Sequence, residues 1–141
     1  MKKIVLTIIS VMLAASAAFA QDVIGKWKLD DGTAIVEVYK NGDAYNGKIV
    51  WVEEPTDADG TPAKDNNNPD PALRTRELIG LNMLSGLKKT ADNEYSGGKI
   101  YDPGNGKTYN CSMKVEGNVL KVRGSLDKRV LIVRTMDWFR Q

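Results

Sequence analysis

The chain has 141 residues, 20 of them basic and 18 acidic, with no histidine and a single cysteine. Without histidine the commonest general base and the commonest metal ligand are missing, and one cysteine closes no internal disulfide. The length suits one domain built on one core.

Residues 1–20 read as a cleaved export leader. Lys2 and Lys3 form its charged start, Ile4 to Leu13 an apolar run, and Ala18-Phe19-Ala20 a small-x-small cleavage site. The run is short for a membrane span, and no cysteine stands at the cleavage point to carry a lipid, so no span is expected after cleavage. Taking Lys2 and Lys3 from the 20 bases leaves 18 against 18 acids in residues 21–141. A near-neutral chain argues against nucleic acid as a partner, which needs a clustered basic face. The expected location is periplasmic or extracellular.

From residue 21 the pattern is one of short strands. Val23, Gly25, Trp27 and Leu29 alternate with polar neighbours and predict a first strand, turned by Asp31-Gly32. Thr33 to Lys40 predicts a second, and Asn41-Gly42 turns it into a third over Ala44 to Glu53, with Tyr45, Ile49 and Trp51 on one face. Glu54 to Ala72 breaks the rhythm. It holds four of the five prolines and the run Asp65-Asn66-Asn67-Asn68-Pro69-Asp70-Pro71, the signature of a lid, a binding loop or a disordered segment. Leu73 to Leu87 is ambiguous between a short helix and a strand; Gly80 and Gly86 argue against a long helix, so a strand is predicted over Leu81 to Lys88.

Beyond Glu94 the alternation returns. Strands are predicted over Tyr95 to Tyr101, with a bulge or close backbone approach at Gly97-Gly98, and over Lys107 to Val115 after the Asp102-Pro103 and Asn105-Gly106 turn. Another runs from Val119 to Gly124, and Val130 to Arg140 forms a long last strand. Cys111 falls on an apolar face and reads as a small buried hydrophobe. About eight strands joined to their sequence neighbours favour a single all-β domain over residues 21–141. The architecture expected is an antiparallel meander barrel carrying one long Pro/Asn/Asp-rich loop, because closure removes exposed edges.

Two resemblances follow. Gly25-Lys26-Trp27 on the first strand, with Arg134 or Arg140 on the last, resembles the lipocalin signature, in which a late arginine packs on an early tryptophan. Gly25, Trp27, Trp138 and Arg140 are the candidate latch. More specifically, the chain is similar to the exported bacterial family called domain of unknown function 2147. The shared stretches are Asp65-x-x-Asn68-Pro69-Asp70-Pro71, Leu73-Arg74-x-Arg76, Gly97 to Pro103, Gly106 to Tyr109, Leu120-x-Val122-Arg123-Gly124 and Trp138-x-Arg140. The chain departs from that pattern at Glu77, where proline is expected, and at Leu126-Asp127-Lys128, where a glycine-rich turn is. The resemblance implies a small secreted lipocalin-like barrel and supplies no activity.

The candidate ligand-binding residues are Asp65, Asn68, Asp70, Arg74, Arg76, Tyr101, Asp102 and Arg134. One reading has the Asn-Pro-Asp-Pro loop and the Tyr101-Asp102 corner flank a barrel mouth, with Arg74 or Arg76 holding a ligand headgroup. The other has these residues staple the loop to the barrel rim through Asx turns and guanidinium forks. Arg134 shares its face with Met136 and Trp138. It is the latch partner of Trp27, the preferred reading, an interior anchor for a ligand carboxylate, or, if the register slips by one at a bulge, a solvated side chain. Asp57-x-Asp59-Gly60 lacks the further ligands of a calcium loop, so no metal and no cofactor are expected. The expected function is a binding or envelope-accessory protein for a small apolar or lipid-like ligand. Alternatives are a loop-mediated protein or glycan interaction module and, more remotely, a hydrolase using Asp65, Asp70 or Asp102. No nucleophilic-enzyme motif is present.

Overall fold

The structure, a computed structural model, describes residues 22–126 and 133–141. The leader and the segment 127–132, which includes the predicted start of the last strand, lie outside the described residues. Eight strands are found among those described: β1 (Gly25–Lys28), β2 (Ala34–Asn41), β3 (Ala44–Val52), β4 (Asn82–Ala91), β5 (Glu94–Asp102), β6 (Lys107–Glu116), β7 (Val119–Ser125) and β8 (Val133–Arg140). Each pairs antiparallel with its sequence neighbours, and β1 pairs with β8 through Trp27↔Arg140 and Lys28↔Phe139, so the sheet closes. Closure satisfies the backbone groups that an open edge would expose. The remaining regular element is a single 3-10 turn, Pro71–Leu73.

Alternation places one face of each strand inside. Val36 and Val38, Leu84 and Leu87, Met113 and Val115, Leu120 and Val122 are all buried. The two ends of the barrel differ. Short turns join β2 to β3, β4 to β5 and β6 to β7 at one end; residues 29–33, the long segment 53–81 and residues 103–106 make the connections at the other.

At the short-turn end, Trp27 and Trp138 are fully buried in the core. The Trp27 Nε1 donates to the Val23 carbonyl at 2.9 Å, and the Arg140 guanidinium lies 4.2 Å from the Trp27 ring centroid. Arg140 also donates to the Asp22 carbonyl at 2.7 Å. Gly25, at φ 140°, bends the chain before β1, and a Cβ there would lie 3.5 Å from the Arg140 guanidinium. The latch residues therefore meet at a floor, with Arg140 as the partner of Trp27. Arg134 is not that partner. The β7–β8 register runs Leu120↔Trp138, Val122↔Met136, Gly124↔Arg134 without a shift. It keeps Arg134 on the inward face but carries it toward the opposite end.

Three further expectations are corrected. The first strand is shorter than predicted: the bend at Gly25 takes Val23 off the ladder to cap the floor, and Leu29 begins a turn that Gly32 closes by donating to its carbonyl at 3.0 Å. The ambiguous segment near Leu81 is strand β4, longer than predicted. In β3, Ile35 pairs with Trp51 while Val36 pairs with Ile49, so Val50 is an extra residue. Such a bulge reverses the alternation. Ile49 and Val52 point inward, whereas Trp51 faces out beneath the Lys28 ammonium, 5.1 Å from its ring centroid.

Candidate functional site

The long connection between β3 and β4 is stiff because its polar side chains bond to one another. Two isolated bridges, Thr56↔Pro62 and Lys64↔Glu77, fold it into hairpin-like arms, and Asp57 and Lys64 pair at 2.8 Å. The Lys64 hydrogen bond holds the Asp57 carboxyl below the usual carboxylate range. Asp70 accepts from the Ala72 N–H at 3.0 Å and caps the 3-10 turn, with Pro71 at its first position.

The centre of the loop is Asp65, which has no exposed surface. Its Oδ1 accepts from the Tyr101 hydroxyl at 2.6 Å. Its Oδ2 accepts from Asn68 Nδ2 at 2.8 Å and from Arg76 at 2.9 Å through both Nε and a terminal nitrogen. A buried carboxylate is tolerated when its lone pairs are filled and a cation faces it. The Arg76 guanidinium also lies 5.7 Å from the Tyr101 ring centroid. Burial, reinforced by the bond to Asp65, pushes the Tyr101 phenol up to about 12. Arg74 Nε donates to the Asn68 carbonyl at 2.7 Å.

A second tie joins the loop to the β5–β6 turn. Asn67 Nδ2 donates to the carbonyls of Pro103 at 3.0 Å and Gly104 at 3.2 Å. The approach is so close that a Cβ at Gly106, whose φ is +72°, would collide with the Asn67 carbonyl oxygen.

Beneath this loop, at the end opposite the tryptophan floor, a cavity of about 690 Å³ opens into the barrel. That is the size range of small-molecule sites. Its wall is apolar, with Leu29, Ile49, Val52, Met83, Ile100 and Met136 among the lining residues. Its mouth is polar: Asp30, Asp31, Glu53, Glu54, Asp57 and Asp102 line it together with Lys64 and Arg134.

The structure thus divides the eight candidate ligand residues. Asp65, Asn68, Arg74, Arg76 and Tyr101 converge on one another and do not line the cavity, and Asp70 is exposed at the loop surface. Their geometry is that of the stapling alternative. Asp102 and Arg134 do line the cavity. Sequence reasoning missed the acidic pairs Asp30-Asp31 and Glu53-Glu54. The available signal was that both pairs end strands on the same side of a meander. Cys111 is buried, and burial pushes its thiol up to about 12, which leaves it unreactive at neutral pH. No cluster of three or more metal-ligating side chains occurs among the described residues, nor is any described helix long and apolar enough to cross a membrane.

Comparison with known proteins agrees with this architecture. No functionally curated protein matches the chain. Among solved structures, protein HP1028 from the human pathogen Helicobacter pylori, described as belonging to the lipocalin family, is similar with a TM-score of 0.72 and 28% sequence identity over 85% of this chain and 83% of its own. The closed eight-stranded barrel is lipocalin-like. The profile of a bacterial family described as "Uncharacterized protein conserved in bacteria (DUF2147)" matches residues 25–140, and the chain belongs to that family.

Proposed function

We propose that this protein is an exported carrier or envelope-accessory barrel that binds a small apolar or lipid-like ligand in its cavity and catalyses no reaction. The observation that supports this most is the apolar cavity beneath the stapled loop, at the end of the barrel opposite the Trp27–Arg140 floor. An apolar wall supplies affinity through buried area, and a polar mouth orients the headgroup. The stiff loop lowers the ordering cost of binding, because the wall it contributes through Ala63 and Asn67 is held before the ligand arrives. The lipocalin-family neighbour supports a binding role, and the leader pattern of residues 1–20 supports export. The carboxylate of the hydrolase alternative most enclosed in the fold, Asp65, spends its lone pairs on internal donors and does not line the cavity.

Native mass spectrometry of protein purified from its own envelope tests the reading. A copurifying lipid-sized mass, lost when Met83→Trp fills the cavity, is the expected result. Protein that carries no such mass and takes up no apolar probe refutes it.

A further inference from the structure

The cavity mouth has a charge that the chain as a whole lacks. Residues 21–141 carry equal numbers of acids and bases. The described lining of the mouth nevertheless holds six carboxylates, Asp30, Asp31, Glu53, Glu54, Asp57 and Asp102, against Lys64 and Arg134. Of the two cations, Lys64 is already committed to Asp57 at 2.8 Å. Asp31 and Asp102 accept backbone N–H bonds in their turns, from Thr33 at 3.0 Å and Gly104 at 2.8 Å, which leaves their negative charge in place. Glu53 and Glu54 have side chains with no hydrogen bond or ion pair among the described residues, and both are exposed at the rim. Segment 127–132 adds one acid and two bases to the chain, too few to reverse the balance even if all were counted with the mouth.

We propose that the cavity selects a cationic amphiphile: an apolar tail for the barrel and a protonated amine or quaternary ammonium for the mouth. The inference rests on the ligand-binding reading above and adds the sign of the headgroup. A carboxylate head, the ligand expected of an interior Arg134, would have to enter a field set by several carboxylates and opposed by one uncommitted arginine. Like charges at a recognition site cost affinity and slow encounter, while opposite charges do the reverse. The mouth is open to water, so the preference is a screened one and falls with salt.

The test uses the protein without its leader and a neutral fluorescent probe, N-phenyl-1-naphthylamine, displaced at submicellar concentrations by three ligands of one tail: dodecyltrimethylammonium, dodecanoate and dodecanol. The ammonium is expected to displace the probe at a concentration about tenfold below that of dodecanoate, a coupling typical of close charge complementarity. The ratio should shrink toward one near 1 M salt, where the Debye length is about 3 Å. It should also shrink in the Glu53→Gln, Glu54→Gln double variant, whose altered side chains are exposed and whose melt should match wild type. Dodecanoate displacing the probe as well as or better than the ammonium overturns the proposal while leaving the ligand-binding reading intact. An undiminished ratio in the double variant removes these two glutamates as its source and overturns it as stated. Failure of the probe and of all three ligands to bind refutes the ligand-binding reading itself.

Discussion

Replacing Asp65 with alanine should destabilise the protein through one identifiable group of bonds. The carboxylate is wholly buried and accepts from Tyr101, Asn68 and twice from Arg76. Alanine leaves those donors without their acceptor and Arg76 without its counter-charge. Breaking a buried pair on one side costs about 3–5 kcal/mol. The Arg76 side chain is 38% exposed, so water recovers part of that loss and the low end, about 3 kcal/mol, is expected. For a domain of this size each kcal/mol moves the midpoint by roughly 3–6 °C, which places Asp65→Ala about 10–20 °C below wild type. Asp65→Asn should lie between the two. Its amide nitrogen can turn toward the Tyr101 oxygen while its own oxygen still meets Asn68 and Arg76, but the charge is gone. Thermal unfolding followed by circular dichroism measures the shift, and tryptic cleavage after Arg74 or Arg76 under native conditions reports whether the loop has come loose. A midpoint within about 3 °C of wild type, with no gain in cleavage, would refute the view that this network fastens the loop.

Trp27→Ala should remove about 3–5 kcal/mol, the usual cost of emptying a buried aromatic site, and Arg140→Ala about 2 kcal/mol through the lost ring contact and carbonyl bond; urea melts check both, and an unaffected Arg140→Ala would reduce that residue to a chain-end charge. Gly98→Ala should cost about 1–3 kcal/mol, because its Cβ would stand 2.5 Å from Leu87 Cγ and 2.6 Å from the Ser85 carbonyl oxygen; a wild-type melting curve would show that β4 and β5 are packed less closely. Tyr101 has a folded value raised from 10.0 to about 12, so its contribution is complete below pH 10 and is lost as the pH rises through that window. The stability gap between wild type and Tyr101→Phe should therefore narrow from pH 10 to 12, and a constant gap in pH-dependent melts would contradict the buried hydroxyl–carboxylate bond.

Much of the barrel was legible in the chain because a closed meander is written in local chemistry. Period-two alternation marks the strands, and turn residues such as Asn41-Gly42 and Glu116-Gly117 mark where they reverse. The pairing of β1 with β8 is the simplest way to complete such a pattern, and Gly25-Lys26-Trp27 pointed to the floor. Local chemistry did not decide between Arg134 and Arg140, since both lie on the last strand at even spacing; the β7–β8 register sent one to the mouth and the other onto Trp27. It also did not place Trp51, because a single extra residue at Val50 reverses a face without altering the composition. The loop showed its stiffness in its prolines and asparagines but not its direction. Asp65 and Arg76 lie eleven positions apart, and Tyr101 comes from another strand, so only folding decides whether they face a ligand or one another. The acidic mouth is collected from two separate connections and a strand end. Its charge emerges when antiparallel order brings those segments to the same end of the barrel, a three-dimensional sum that no single stretch of the sequence contains.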